Sequence, residues 1–270
     1  HMVIFGGVSQ QKQVQAIKKG IDILIATPGR LLDLIQQQLV SLSQVQHLVL
    51  DEADRMLDMG FIQDIKKVLR LLPETHHTLL FSATLPPEIE KLSRSILQNP
   101  ERVAVTPVSS TAEGISQTVY LVAKEDKPAF LASLIKKHNI EQVLVFSRTK
   151  HGADRIAKKL NKSGFQADAL HGDKSQNARQ RALENFKSGK LQVLVATDIA
   201  SRGIDIEDLP CVINYDLPAT GETYIHRIGR TGRQEKSGIA YSFCAPEEED
   251  QLKDILKLIK QPLPIKNEQG

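Results

Sequence analysis

A chain of 270 residues, 41% hydrophobic and 25% charged, has the composition of an ordinary soluble globular protein and the length of about two domains. No apolar run approaches the ~20 residues needed to cross a membrane, and no secretory leader is visible. The net charge of +3 permits a polyanionic partner without requiring one, while the lack of Trp and an aromatic content of 4% argue against base stacking as the main mode of any nucleic-acid binding.

His1-Met2 reads as the remnant of an expression tag, so the first native residue is expected to be Val3 and the chain to begin in mid-strand. Val3-Ile4-Phe5 forms a short strand ending in Gly6-Gly7, where glycine permits a positive φ or a close backbone approach, as a ligand loop or an ordinary turn would need. A second strand, 21–26, runs into Thr27-Pro28-Gly29-Arg30. Pro28 suits the first turn of a helix that Thr27 could cap, and a helix start with free amides and an arginine can hold a phosphate or be a helix start alone. His47-Leu48-Val49-Leu50 reads as a strand buried on both faces. Over 60–72, Ile62, Ile65, Leu69 and Leu72 share one helical face. Strand 78–81 ends in Ser82-Ala83-Thr84, Pro86-Pro87 opens a helix through Ile89, Leu92 and Ile96, and 102–105 could close this first set of strands.

The polar, aperiodic stretch 106–116 marks a boundary between a first domain, 3–105, and a second, 117–260. In the second, apolar runs at 117–122, 142–146, 192–196, 211–215 and 239–244 alternate with helical spacings. Examples are Ala153, Ile156, Ala157 and Leu160, then Ala178, Ala182, Leu183 and Phe186, then Leu252, Ile255, Leu256 and Ile259. Near-continuous apolar strands alternating with amphipathic helices argue two tandem α/β domains with parallel sheets covered on both faces. Residues 261–270 read as a non-helical tail. Cys211 and Cys244 lie in apolar runs without metal-ligand spacing, so both are expected as buried free thiols, which fits a cytoplasmic protein.

The chemistry gathers where strands end. Asp51-Glu52-Ala53-Asp54 follows an apolar strand, at the edge where open α/β sheets bind ligands. The first acid can hold a magnesium ion through water and the second can orient or deprotonate a water attacking a terminal phosphate; the alternative is that they only cap the next helix. Arg227, Arg230 and Arg233 recur at intervals of three, which on a helix would align them toward an anion or toward solvent.

With Gly6-Gly7, Thr27-Pro28-Gly29-Arg30, Asp51-Glu52-Ala53-Asp54, Ser82-Ala83-Thr84, 145–149, 196–205 and 226–233 in this order, the chain resembles a DEAD-box RNA helicase of superfamily two over essentially 3–260. The stretches VLDEADRMLDMGF and RTKHGA are similar to the bacterial RhlE-like branch. The resemblance implies two RecA-like domains and an RNA-dependent ATPase whose cofactors are ATP and a magnesium ion. It implies that Asp51 holds the metal–nucleotide complex, that Glu52 is the general base, and that Asp54, Gly203 and Asp205 belong to the nucleotide site. Arg230 and Arg233 would be arginine fingers, and Ser82, Thr84 and His226 would couple hydrolysis to domain closure. RNA would meet Gly7, Thr27, Pro28, Gly29, Arg30, Arg148, His171, Gly172, Gln176, Arg179 and Thr197 through its backbone, without sequence preference.

One departure stands out: no G-x-x-x-x-G-K-[ST] phosphate loop occurs in the sequence. The first domain is therefore expected to lack its N-terminal, phosphate-loop part, and this polypeptide alone is expected neither to bind ATP tightly nor to unwind RNA. A non-hydrolysing RNA-binding or annealing module is the alternative; a DNA translocase fits the Asp-Glu-Ala-Asp and Ser-Ala-Thr set less well.

Overall fold

The computed structural model describes residues 1–104, 114–201, 206, 208–232, 238–259 and 263–267, and it divides into two compact units, 1–104 and 105–270. The break falls beside the expected boundary stretch.

The first unit contains β1 (Met2–Ile4), α1 (Gln11–Ile17), β2 (Leu24–Ala26), α2 (Pro28–Gln36), β3 (His47–Leu50), α3 (Ala53–Asp58), α4 (Ile62–Leu69), β4 (His77–Leu80) and α5 (Pro87–Ile96). Its strands form two separate parallel pairs, β1 with β2 and β3 with β4. Ile4, Leu31, Leu34, Leu42 and Val68 make a small core where α2 and α4 pack. The opposite strand faces are open: Ile25 is 52% exposed, Val49 55% and Phe81 52%. The strand before Asp51 is thus not buried on both faces as expected; in β3 only Leu50 is buried, because helices cover one side of the pair. Nor does 101–104 form a closing strand, and Val105 lies outside the described residues. Met2, set aside in the sequence reading, pairs with Leu24 in β1.

The second unit is built on a parallel seven-stranded sheet in the order β11-β5-β10-β9-β6-β8-β7. In chain order its elements are β5 (Ile115–Leu121), α6 (Lys127–Lys137), β6 (Val143–Phe146), α7 (Lys150–Lys162), β7 (Ala167–Leu170), α8 (Gln176–Lys187), β8 (Val193–Ala196), α9 (Asp198–Ser201), β9 (Cys211–Asn214), α10 (Gly221–Ile228), β10 (Gly238–Cys244), α11 (Glu249–Ile259) and β11 (Ile265–Asn267). Every residue of β6, β8 and β9 is buried, as the apolar runs of β6 and β8 require; in β9 the buried Asn214 is hydrogen-bonded to Ser242 and Arg227. Val143, Val145, Val193, Val195 and Ile213 face α6 and α7, whereas Leu144, Phe146, Leu194, Ala196 and Val212 face α8 and α9. On that second side α10 and α11 cover β5 and β10. The period-two alternation therefore divides one sheet between two cores, each fully buried aliphatic side chain contributing about 1.5–3 kcal/mol.

Two sequence readings change here. The tail expectation for 261–270 gives way to β11, which pairs in parallel with β5, with the Val119 amide donating to Pro264 O at 2.9 Å just before the paired run. The strand called from 117 begins at Ile115. Both cysteines are free and buried as expected, and burial pushes the Cys211 thiol up to about 12. Among the described residues no helix is long and apolar enough to cross a membrane.

Candidate functional site

In the first unit the acidic turn leaves β3 and enters α3. Glu52 sits at φ 53°, ψ 49°, a left-handed conformation that costs a non-glycine residue about 1 kcal/mol or more. Several bonds hold it there. Asp51 Oδ1 accepts the Glu52 amide at 2.9 Å, the Ala53 amide donates to Phe81 O at 3.0 Å, and Arg55 pairs with the Glu52 carboxylate. Asp51 and Glu52 are exposed at the carboxyl end of the strand, where the sequence reading placed them.

Asp54 points elsewhere. Its Oδ2 accepts the Thr84 amide at 2.9 Å and the Thr84 hydroxyl at 2.8 Å, Oδ1 accepts the Arg55 amide at 3.0 Å, and its own amide donates to Ser82 Oγ at 3.1 Å. Ser82 Oγ in turn donates to Thr84 O at 2.6 Å. The acidic turn and the Ser82-Ala83-Thr84 loop are thus one hydrogen-bonded unit. Burial pushes the Asp54 carboxyl up, but these bonds, led by Thr84, outweigh it and leave the group below its ordinary value of 3.8. A depressed carboxyl contributes stability above the unfolded-state value and loses it as pH falls through the native value. Thr84→Val is therefore expected to lower the melting temperature at neutral pH, with the difference from the parent chain shrinking as pH falls below about 4; a difference that stays constant throughout that fall would assign the effect to packing.

The donor set decides what cation the turn could take. Among the described residues no three His, Cys, Asp or Glu side chains converge, so there is no cage for a fully protein-bound metal. A single exposed carboxylate, Asp51, fits a magnesium ion that keeps most of its water and shares phosphate oxygens.

The first-unit residues expected to meet RNA are held in different ways. Gly7 has φ 77°, so its glycine is required by the backbone. Thr27 and Pro28 occupy the N-cap and first-turn positions of α2, but the Thr27 hydroxyl makes no capping bond. The Arg30 side chain, 12% exposed, donates to Gln13 Oε1 at 3.2 Å and to Val8 O at 3.0 Å, pinning α2 to the loop that carries Gly7. It shapes that loop before it can meet any ligand.

In the second unit β6, β8 and β7 lie side by side, and their carboxyl ends bring Arg148, Thr197 and His171-Gly172 to adjacent strand ends. Strand spacing of about 4.8 Å makes this a short row suited to a polymer backbone. The helix after β6, α7, lies on one face and the helix after β9, α10, on the other, so β6 and β9 flank the switch point where such sheets bind ligands. Thr149 caps α7 by accepting the Gly152 amide at 3.0 Å, and a Cβ on Gly152 would come within 2.7 Å of Ser147 Oγ. Gln176 opens α8 and accepts from Arg179 Nη1 at 3.1 Å, while Arg179 Nε is buried without a hydrogen-bond partner. His171 is the outlier of the row: it is 3% exposed, its Nε2 lying 3.0 Å from an Asp154 carboxylate that His171 and Lys174 hold below the ordinary range against the upward push of burial. Exposed Gly172, not the imidazole, presents this position to solvent.

Two of the three arginines of the array lie among the described residues. Gly229 ends α10 at Ile228, so Arg230 follows the helix, and Arg233, Gly203 and Asp205 lie outside the described residues. Arg227 is 2% exposed and committed internally. Its Nε and Nη2 donate to both oxygens of Asp198 at 2.6 and 2.8 Å, Nη1 donates to Asn214 Oδ1 and Asp216 O, and the guanidinium lies 4.9 Å from the Phe146 ring centre. The expected common face toward an anion therefore fails for Arg227: an anion would compete with a buried bidentate carboxylate. His226 and Arg230 are one exposed and one half-buried, next to this anchor.

Sequence reasoning missed the polar cluster behind Arg148, formed by Lys127, Ser147, Asp216 and Glu248. Its one legible signal was Asp216, a carboxylate directly after the apolar run that becomes β9.

Comparison with known proteins returns a consistent picture. Residues 1–92 match the DEAD/DEAH box helicase family and 126–235 the helicase conserved C-terminal domain. The ATP-dependent RNA helicase RhlB of Shewanella frigidimarina is 42% identical over 98% of this chain and 62% of its own length. The DEAD-box ATP-dependent RNA helicase CshA of Bacillus cereus is 43% identical over 96% of this chain and 50% of its own. The chain thus spans between half and two thirds of these relatives. Among solved structures, S. cerevisiae Dbp5 bound to RNA and ADP BeF3 aligns with a TM-score of 0.85 at 30% identity, covering 99% of this chain and 70% of that one. A DEAD box protein from Methanococcus jannaschii aligns at 0.54 and 40% identity, covering 98% and 71%.

Proposed function

The chain belongs to the DEAD-box family of ATP-dependent RNA helicases, and from that premise we propose that it carries the hydrolytic acids and the RNA-gripping row of an enzyme that uses ATP to separate short RNA duplexes. One observation carries the reading: Asp54 bonds the Asp51-Glu52 turn to Ser82 through its amide and to Thr84 through its carboxylate, so the acids that would handle the nucleotide are joined to a second loop. Asp51 would hold a water-ligated magnesium ion, which when bound neutralises phosphate charge, and Glu52 would take the proton of the attacking water. Arg55 pairs with Glu52 Oε1 and would orient the carboxylate, leaving Oε2 to accept that water. Arg230 and Arg233 would add charge stabilisation at the transferred phosphate when hydrolysis is coupled to domain closure; His226 would join Ser82 and Thr84 in that coupling, and Gly203 and Asp205 would belong to the nucleotide site. Gly7, Thr27 to Arg30, Arg148, Gly172, Gln176, Arg179 and Thr197 would meet RNA phosphates and 2′-hydroxyls, which carry no base identity. The stretches VLDEADRMLDMGF and RTKHGA support an RhlE-like member.

A second reading, RNA binding without hydrolysis, is favoured for these 270 residues by the absence of a G-x-x-x-x-G-K-[ST] sequence. Both are tested together by RNA-binding and ATPase assays on the chain. The expected result is binding to single-stranded RNA irrespective of sequence, weakening with salt, and no RNA-stimulated turnover. Failure to bind RNA would overturn both readings. Turnover abolished by Glu52→Gln would overturn the second.

A further inference from the structure

Arg148 leaves β6 at one end of the candidate RNA row, yet its position is decided by a residue 100 places further along the chain. Glu248, in the 3-10 turn Pro246–Glu248 after β10, is 7% exposed at its side chain and has every lone-pair direction engaged. Oε1 accepts Arg148 Nη2 at 2.6 Å and the Leu217 amide at 3.2 Å; Oε2 accepts Lys127 Nζ at 2.5 Å and the Ala245 amide at 3.1 Å. Lys127 is buried at 2% and also donates to Tyr215 O at 2.8 Å. Asp216 completes the group by accepting the Arg148 amide at 2.8 Å and Ser147 Oγ at 3.1 Å.

Two cations and two carboxylates leave the cluster neutral, but it is not symmetric toward solvent. The side chains of Lys127, Glu248 and Asp216 are 2%, 7% and 25% exposed, whereas that of Arg148 is 52% exposed. What a ligand meets is therefore the guanidinium. Its bonds to Glu248 and to Leu217 O at 3.4 Å both use Nη2. Among the described residues neither Nε nor Nη1 is engaged, so each can donate a single hydrogen bond to a phosphate oxygen.

We propose that Glu248, neutralised from behind by buried Lys127, is a positioning residue that presents the Arg148 guanidinium to an RNA phosphate. The proposal deepens the RNA-binding reading above and rests on it. Physically, a long side chain that would otherwise lose its rotamer freedom on binding has lost it already, and this preorganisation is worth roughly a three- to tenfold gain in affinity. Lys127 explains why a carboxylate can stand beside a polyanion site at all: its charge is cancelled within the core, so Glu248 orients the arginine without repelling the strand.

The sign of one measurement separates this role from simple charge. Removing a negative charge next to bound RNA should tighten binding if Glu248 acts only through its field; removing an orienting group should weaken it. In anisotropy titrations of the full chain with a short mixed-sequence single-stranded RNA, Arg148→Ala is expected to weaken binding and reduce the salt slope by about 0.7, the loss of one phosphate contact. Glu248→Gln is expected to weaken binding roughly three- to tenfold with the slope unchanged. In the Arg148→Ala background it should have no further effect. Because Glu248→Gln leaves Lys127 without its partner, the cycle is repeated with Lys127→Met/Glu248→Leu, which removes both buried charges together, and each variant's melt is recorded. Tighter binding by both Glu248 variants, or an equal loss with and without Arg148, would overturn the proposal. An Arg148→Ala chain that binds RNA like the parent would overturn it while leaving RNA binding intact, and a parent chain that fails to bind RNA would remove the reading beneath it.

Discussion

Replacing Arg227 by methionine is expected to destabilise the second unit by about 3 kcal/mol, toward the lower end of the range for breaking a buried ion pair. The substitution removes a guanidinium that bonds both oxygens of Asp198, Asn214 Oδ1 and Asp216 O and lies over Phe146. Asp198 is 30% exposed, so water can reach the stranded carboxylate, and that places the cost at the low end. The consequence is not only thermodynamic. Arg227 fastens α10, which delivers His226 and Arg230, to the residue after Thr197 in the candidate RNA row. Urea unfolding followed by far-ultraviolet circular dichroism reads the loss, and Arg227→Met/Asp198→Leu should recover much of it, since an apolar pair strands no charge. A single-variant loss under about 1 kcal/mol would show that the pair contributes little.

Hydrogen exchange is expected to divide the chain at its unit boundary. Amides of β6, β8 and β9 lie in strands flanked by hydrogen-bonded neighbours, with every residue buried. Amides of β1 to β4 belong to two-stranded pairs whose outer faces carry Val3, Ile25, Val49 and Phe81 at 42–55% exposure. Local opening of so small a pair costs far less than global unfolding of a seven-stranded sheet, so the central strands of the second unit should exchange about 10³-fold more slowly, a gap near 4 kcal/mol. Equal protection in the two units would mean that the first is held by interactions beyond its own core. The open apolar faces also predict a concentration-dependent tendency to associate through the first unit, visible by light scattering.

Legibility from sequence followed burial. The runs VLVF and VLVA could be read as strands because a parallel strand covered on both sides favours unbroken apolar sequence; CVIN was legible through Cys211-Val212-Ile213, its buried Asn214 being hydrogen-bonded to Ser242 and Arg227. Ala167-Asp168-Ala169-Leu170 escaped notice: β7 is an edge strand, and Asp168 reaches Lys174 from it. β11 carries no pattern at all and exists because the open edge of β5 needs partners for its backbone groups. The arginines at intervals of three looked like one helical face until Gly229 ended the helix between them.

By itself the sequence determined several of the strands and helices, and which polar residues follow them: Asp51, Glu52 and Asp54 after β3, Arg148 after β6, Thr197 after β8. Those are local matters of apolar period, proline and glycine. It could not determine that Arg30 turns inward to Val8, that His171 is covered, or that Lys127 and Glu248 meet across 121 residues. Partners of that kind are chosen by strand order, because only the completed sheet brings distant strand ends to one edge, and only burial there makes an unpaired charge too costly to leave alone.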